Sequence, residues 1–265
     1  MSPPRFLATV FLAAALLLTA VRVVGEETGA KGAAAGGKTA EAFKNEAKAS
    51  YDAGRYDEAV VLFEKAAAAE PGDASIWIDI GLVRLAQKNP EKAEAAFRKA
   101  LEVDPKSARA RLNLGVIALN GNDYKEAEAE FKSAIQLKPA WPEARANLGG
   151  LYLKQGKKEE AMKEFHAALE AAPKFLIALY NMAVLHKQNG DWGKAEEIYR
   201  RILEIDPGAP MAHLEVAALY TNRLEQPAKA IYHYQRFLDL SPPGPMREKV
   251  RRSIQNIGGA ESSAE

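Results

Sequence analysis

Small and aromatic side chains recur along this chain at a fixed step of 34 residues, and the apolar positions within each step predict two short amphipathic helices. A proline closes each step: Pro71, Pro105, Pro139, Pro173 and Pro207. An aromatic residue stands eight positions earlier: Phe63, Phe97, Phe131, Phe165 and Tyr199. Because these columns stay in phase over five copies, the pattern predicts a stacked array of helix pairs rather than a globule with one central core.

A further column of small residues predicts where the two helices of each pair come together. Its members are Ala47, Gly81, Gly115, Gly149, Ala183 and Ala217. Glycine inside a helix costs about 1 kcal/mol relative to alanine, so three glycines in one column need a packing reason. Close approach of the paired helices, with the aromatic column filling the space between them, provides that reason. Each closing proline is expected to end the second helix of its pair.

The same residues resemble the tetratricopeptide repeat, whose 34-residue unit carries Trp, Leu-Gly, Tyr, Ala, an aromatic residue, Ala and Pro in fixed order. Trp77 and Gly81 match the motif in one copy, and Gly149 and Tyr152 match it in another. The resemblance covers residues 40–243. It implies an all-α solenoid, a right-handed α-α superhelix of six helix-turn-helix repeats.

The C-terminal part of the chain departs from the strict period. A column of alanines also keeps the 34-residue step: Ala59, Ala93, Ala127, Ala161 and Ala195. Its next step, to Ala230, is 35 residues, and the extra residue is expected in the turn at 222–226. Beyond the repeats, apolar residues at helical spacing predict a capping helix over 244–258 and a disordered tail over 259–265. The apolar residues of this helix are Met246, Val250, Ile254 and Ile257. Its basic residues also suit a membrane or nucleic-acid contact, an interpretation that capping makes unnecessary.

The N-terminus carries an unbroken apolar run over residues 6–21. Sixteen helical residues extend about 24 Å, which is shorter than the roughly 30 Å hydrocarbon core. We therefore favour a signal peptide over 1–25, with an uncleaved membrane anchor at 6–24 as the alternative and a mitochondrial presequence as a weaker one. Either of the first two predicts export, to the periplasm or envelope of a bacterium or to the secretory lumen or exterior of a eukaryotic cell.

Residues 26–39 are rich in Gly and Ala and predict a flexible linker. Residues 32–39, which read GAAAGGKT, match the phosphate-loop pattern GxxxxGKT. No strand is predicted before them, however, so nucleotide binding is not expected. Thr39 is instead predicted to cap the first repeat helix. The absence of Cys excludes disulfides and lipid attachment through cysteine. The net charge of +1 argues against a dedicated nucleic-acid binder.

The sequence offers no candidate for catalysis, for a metal or for a cofactor. Its four histidines are His166, His186, His213 and His233, and none has another at helical ligand spacing. Neither an HExxH motif nor a GxSxG motif is present. We therefore interpret the histidines as surface or packing residues and predict that the protein is not an enzyme.

A polar column runs through the first helices of the repeats. Its asparagines are Asn45, Asn113, Asn147 and Asn181, and Asp79 and Glu215 complete it. Asparagine is unfavourable in the middle of a helix, so its recurrence needs a reason. A similar asparagine ladder holds extended peptide in O-linked N-acetylglucosamine transferases, and this resemblance implies peptide recognition. Hydrogen bonding between adjacent first helices is an equally good explanation.

Beside that column the first helices carry a second apolar stripe, which is expected to be exposed. It consists of Ile78, Leu82, Leu85, Leu112, Val116, Leu119, Tyr180 and Val184. In the repeat family this face lines the concave groove, and an exposed apolar patch usually marks a contact site. The alternative is that neighbouring first helices share these side chains. The carboxylate clamp of chaperone-binding members is absent, because Asp79 and its neighbours replace the basic residues it needs.

Taken together, these patterns predict an exported, non-catalytic scaffold that binds a peptide segment of a partner protein. Two alternatives remain open: a self-assembling structural protein of the envelope, and an accessory arm or subunit of an enzyme complex.

Overall fold

The computed structural model describes residues 39–261, and this part of the chain contains thirteen α-helices and no strand. The predicted all-α, helix-turn-helix fold is therefore confirmed. The predicted leader, almost all of the linker, and residues 262–265 of the predicted tail lie outside the described residues. The chain divides into two compact units at Lys157/Lys158, within the fourth predicted repeat.

Unit 1 contains three helix pairs followed by a single helix. Its helices are α1 (Ala40–Asp52), α2 (Tyr56–Ala69), α3 (Ala74–Ala86), α4 (Pro90–Val103), α5 (Ala108–Asn120), α6 (Tyr124–Leu137) and α7 (Pro142–Lys154). Each helix packs most closely against its partner in the pair, and each second helix also contacts the first helix of the next pair. Helix α5 in addition contacts α7.

Unit 2 contains a single helix, two helix pairs and a terminal helix. Its helices are α8 (Lys158–Ala171), α9 (Leu176–Asn189), α10 (Trp192–Ile205), α11 (Pro210–Asn222), α12 (Pro227–Leu240) and α13 (Pro245–Glu261). The four-residue turn between α11 and α12, residues 223–226, replaces the three-residue turn seen between α3 and α4. The extra residue of the 35-residue step thus lies in that turn, as predicted.

Short polar side chains cap five of the seven helices of unit 1. Thr39 Oγ1 accepts a hydrogen bond from the Ala42 backbone N–H at 3.2 Å, which confirms the predicted cap of α1. Asp73, Asn89, Ser107 and Asp123 cap α3 to α6 in the same way. A cap of this kind stabilises a helix by about 1 kcal/mol, because it satisfies a backbone donor that the helix itself cannot pair.

The aromatic column is the centre of each helix pair. Phe97 and Phe131 are fully buried, and their rings lie against Gly81 and Gly115 of the partner helix. A methyl group added at Gly115 would lie 2.6 Å from Phe131 Cε1, far inside van der Waals contact. Glycine at these two positions therefore leaves room for the ring of the facing helix, as the small column predicts.

The terminal helix α13 packs on the core of unit 2 with one side. Val250 is buried, and Met246, Ile254 and Ile257 pack against the cluster that contains Tyr234. The helix continues to Glu261, three residues beyond the predicted end of the capping helix. Among residues 39–261, no helix has both the length and the apolar character that crossing a bilayer requires.

Replacing Gly115 by leucine should destabilise unit 1, because the side chain would displace the buried Phe131 ring. Overpacking of this kind costs about 1–3 kcal/mol. Gly121, which is exposed, has a negative φ of −76° and leaves ordinary contact distances of 3.5 Å around an added Cβ, offers the matched control Gly121→Leu. Urea unfolding followed by circular dichroism should show a lower midpoint for Gly115→Leu only. Equal midpoints for the two variants would contradict the packing described above.

Candidate functional site

The candidate site of unit 1 is a face formed by its first helices, α1, α3, α5 and α7, which we call the first-helix face. It carries the predicted residues Asn45, Ile78, Asp79, Leu82, Leu85, Leu112, Asn113, Val116, Leu119 and Asn147. The remaining predicted residues, Tyr180, Asn181 and Val184, lie on α9 in unit 2 and are described separately below.

The apolar stripe of the first-helix face is more deeply buried than the sequence predicts. Ile78, Leu112, Val116 and Leu119 are 0–7% exposed, so the expectation of an exposed stripe is wrong at these four positions. Ile78 packs in one cluster with Phe97 and Leu114, and α5 is covered by α4, α6 and α7. Neighbouring helices thus share these side chains. Leu82 and Leu85 are half-buried and are the part of the stripe that solvent reaches.

The side-chain hydrogen bonds that the described part of the chain shows for the asparagine column stay within one helix and do not join adjacent helices. Asn113 Nδ2 donates to the Arg109 carbonyl oxygen of its own helix at 2.9 Å, while Asn45 is exposed. Asn147 differs from both, because it is 2% exposed and its Nδ2 has no hydrogen-bond partner. An amide donor buried without a partner costs about 1–3 kcal/mol relative to a paired one.

Charged side chains from the two neighbouring first helices, α1 and α5, act on Asp79 of α3. Burial raises the pKa of Asp79 to about 6, although the positive charges of Arg109, Lys48 and Lys44 act in the opposite direction. Lys44 also forms an ion pair with Asp73 at 3.3 Å. Asp79 is the acidic member of the polar column in unit 1, and the first-helix face therefore contains a carboxylate whose pKa is raised to about 6.

The candidate residues of unit 2 form a similar arrangement on α9. Asn181 Nδ2 donates to the Ile177 carbonyl oxygen at 2.8 Å, and Val184 is half-buried. Burial raises the pKa of Tyr180 to about 12. Glu215 of α11, the last member of the polar column, forms an ion pair with Lys187 of α9. Its contact is therefore with a basic side chain of the preceding first helix.

The structure also brings together two histidines that sequence reasoning treated separately. His213 of α11 and His233 of α12 face each other with Nδ1 atoms 2.9 Å apart. Burial lowers the pKa of His213, and burial together with His213 lowers that of His233 to about 4. A search for ligands three or four residues apart on one helix cannot find this pair, because its members lie 20 residues apart on two helices.

The other two histidines fit the predicted role. His166 is exposed on α8, and His186 Nδ1 lies 3.2 Å from an Asp191 carboxylate oxygen. Within residues 39–261, no cluster of three or more His, Cys, Asp or Glu side chains has the arrangement of a metal site.

A family model described as the tetratricopeptide repeat matches this chain in four overlapping segments, residues 44–102, 78–145, 146–210 and 180–245. The chain belongs to the tetratricopeptide repeat family. Proteins with this fold are typically non-catalytic scaffolds that bind other proteins. A search of curated protein sequences finds no significant match.

Solved structures share the fold at low sequence identity. PilF of Pseudomonas aeruginosa is 21% identical with a TM-score of 0.69, and the match covers 81% of this chain and 97% of that one. YrrB, a repeat protein with an unusual peptide-binding site, is 22% identical with a TM-score of 0.55 over 72% and 97% of the two chains. A chain of the APC/C hetero-tetramer Cut9–Hcn1 is 17% identical with a TM-score of 0.66. That match covers 83% of this chain but only 43% of its relative.

The raised pKa of Asp79 should make stability depend on pH in an unusual direction. An aspartate whose pKa is higher in the folded state than in the unfolded state loses stability as pH rises between the two values, here about 4 to 6. Asp79→Asn removes this loss. The stability advantage of Asp79→Asn over the wild type should therefore grow by about 2–2.5 kcal/mol between pH 4 and pH 7. Urea unfolding of both proteins at several pH values measures it, and a constant difference would contradict the assignment.

Proposed function

We propose that this protein is a non-catalytic scaffold that binds a peptide segment of a partner protein on the first-helix face of unit 1. The observation that carries the proposal is the buried, unpartnered amide N–H of Asn147. A backbone carbonyl of a bound peptide would satisfy that donor once the side chain, which is 2% exposed, turns outward from its buried position. Because every peptide has such carbonyls, the contact would hold extended chain without selecting its side chains.

Other members of the polar column support the same function. Asn113 uses one N–H for its own helix, so its second N–H and its oxygen remain for a ligand. Asn45 is exposed at the other end of the column. Leu82 and Leu85 provide half-buried apolar surface beside it, where a ligand side chain would exclude more water. The buried members of the stripe then act as the support of this surface rather than as contacts.

Asn181, Tyr180 and Val184 of α9 are proposed to make equivalent contacts within unit 2. Asn181 has the same hydrogen bond to its own helix as Asn113, and the side chains of Tyr180 and Val184 are half-buried. Two of the related structures agree with a binding function at the level of the fold. YrrB has a peptide-binding site, and the Cut9–Hcn1 structure is a hetero-tetramer.

Asn147→Ala separates recognition from a structural role. Removing an unpartnered buried donor should leave the thermal unfolding temperature unchanged or slightly higher, because no hydrogen bond of the free protein is lost. Binding should weaken by about 0.5–1.5 kcal/mol, a factor of roughly 2–12. The control is Asn120→Ala at an exposed position at the end of α5. If Asn147→Ala melts earlier and binds as well as the wild type, the residue has a structural role.

The binding measurement uses a photo-crosslinking residue in place of Leu82, in extract from the source cells. A second variant of this chain carries the photo-crosslinking residue in place of Val61, which is 49% exposed on α2. We expect an adduct from position 82 and none from position 61, and Asn147→Ala should reduce its yield. An adduct at twice the chain mass of 28.8 kDa would instead identify self-assembly. Equal adducts from both positions would refute binding at this face.

We also propose that the protein acts outside the cytoplasm. Residues 1–25 would direct its export as a signal peptide, or residues 6–24 would remain as a membrane anchor. The apolar run over residues 6–21 and the basic Arg5 before it support this localisation. A phosphatase reporter that is active only outside the cytoplasm, fused after Glu265, should therefore be active. The same fusion without residues 1–25 should be inactive. Activity of the second fusion, or inactivity of the first, would contradict export.

A further inference from the structure

The second helices of unit 2, α10 and α12, border an open cavity whose base is α11. The cavity has a volume of about 390 Å³, and α11 contacts both bordering helices. Arg200 lies on the α10 wall and Arg236 on the α12 wall, while Tyr220 of α11 lines the base. Two guanidinium groups from different helices therefore reach one opening.

The groove between the second helices α4 and α6 of unit 1 has ion pairs at the matching repeat positions. Arg98 of α4 pairs with Glu126 of α6 at 2.8 Å. Arg111 of α5, the helix between them in sequence, pairs with Glu130 of α6 at 3.1 Å. Both arginines of this groove thus have a carboxylate that the chain itself provides.

The two acidic positions of α6 are not acidic in α12. Counted from the alanine column, Lys229 stands at the repeat position of Glu126, and His233 stands at that of Glu130. Arg200 stands at the position of the arginine that pairs with Glu126, and it forms no ion pair with a carboxylate in the described part of the chain. The cavity of unit 2 therefore retains this arginine and lacks the acid that pairs with it in unit 1.

A neutral pair of histidines replaces the second ion pair. His213 stands at the position of Arg111, and its Nε2 lies 3.2 Å from the Pro207 carbonyl oxygen, which can only accept a hydrogen bond. This nitrogen therefore carries the proton, and in the neutral ring Nδ1 accepts a hydrogen bond from His233 Nδ1 at 2.9 Å. Because the pKa values of both histidines are lowered, the pair is uncharged near neutral pH and balances none of the arginine charge.

We propose that this cavity binds an acidic side chain of a partner protein, with Arg200 and Arg236 as the groups that hold its carboxylate. A guanidinium group can donate two parallel N–H bonds to a carboxylate. Lys229 adds a positive charge beside the cavity, since its Nζ lies 5.3 Å from the centre of the Tyr220 ring. Tyr232, which is 55% exposed, offers an aromatic surface to the rest of the segment. This site does not depend on the function proposed for the first-helix face.

Carboxylates near the cavity oppose an anionic ligand and limit its affinity. Glu204 lines the cavity, and Glu196 accepts a hydrogen bond from Tyr220 at 2.6 Å. Asp239 lies 3.7 Å from Arg236, but the two side chains are 65% and 38% exposed, so this ion pair contributes little and a ligand can replace it. We therefore expect weak binding that salt screens readily.

The repeat comparison itself provides a variant that fills the site. Lys229→Glu restores the acid that α6 has at this position, so the new carboxylate should pair with Arg200 as Glu126 pairs with Arg98. The fold should be retained, because unit 1 already contains this arrangement. The matched control is Lys249→Glu, which makes the same change of charge at an exposed position of α13.

Fluorescence anisotropy of a rhodamine-labelled hexaglutamate peptide, with the full, untagged chain at low ionic strength, measures the binding. We expect saturable binding of this peptide by the wild type and none of the matching hexaglutamine peptide. Lys229→Glu should weaken binding by about fivefold or more, and Lys249→Glu by less than about twofold. Absence of saturable binding by the wild type, equal binding of the two peptides, or equal weakening by the two variants would overturn the inference.

A second measurement on the unmodified chain locates the peptide. In ¹⁵N NMR spectra of the arginine side chains, hexaglutamate should shift the Nε resonances of Arg200 and Arg236 together. The Nε resonance of Arg98 should stay in place, because this side chain is already paired with Glu126. Peptide that binds while the Arg200 and Arg236 resonances stay in place would lie elsewhere on the chain, and that result would refute the proposal.

Discussion

The contact between an aromatic ring on the second helix and a small residue on the first is the constraint on which the helix pairs depend. Phe97 against Gly81 and Phe131 against Gly115 leave no room for even one additional carbon. This contact fixes both the distance and the register of the two helices. The burial of the rings offsets the cost of about 1 kcal/mol that each mid-helix glycine imposes.

Because this contact is local to each pair, the sequence determines most of the fold one repeat at a time. The cap at Thr39 and the extra residue in the turn at 223–226 could both be predicted, since each depends on a few adjacent residues. The exposure of the apolar stripe could not be predicted in this way. Whether Val116 reaches solvent depends on how closely the following helices cover α5, and no local pattern reports that distance.

The sequence predicted which helices carry the candidate residues but not the hydrogen bonds that their side chains make. The recurrence of asparagine placed Asn113 and Asn147 on one face, yet the first is bonded to its own helix and the second is left without a partner. The histidine pair was missed entirely, because His213 and His233 meet only across the α11–α12 pair. A repeat alignment could have revealed it, since paired helices bring the same columns together in every copy.

Two polar groups on the first helices of unit 1 are poorly accommodated by the fold. A buried amide without a partner at Asn147 and a carboxylate with a raised pKa at Asp79 both reduce the stability of the free protein. Repeat arrays can tolerate such groups, because each pair is stabilised by its own ring contact and by its neighbours rather than by one shared core. A ligand that supplies a carbonyl to one group and a positive charge or a hydrogen bond to the other would recover part of that loss, and this is the physical basis on which we propose the face as a binding surface.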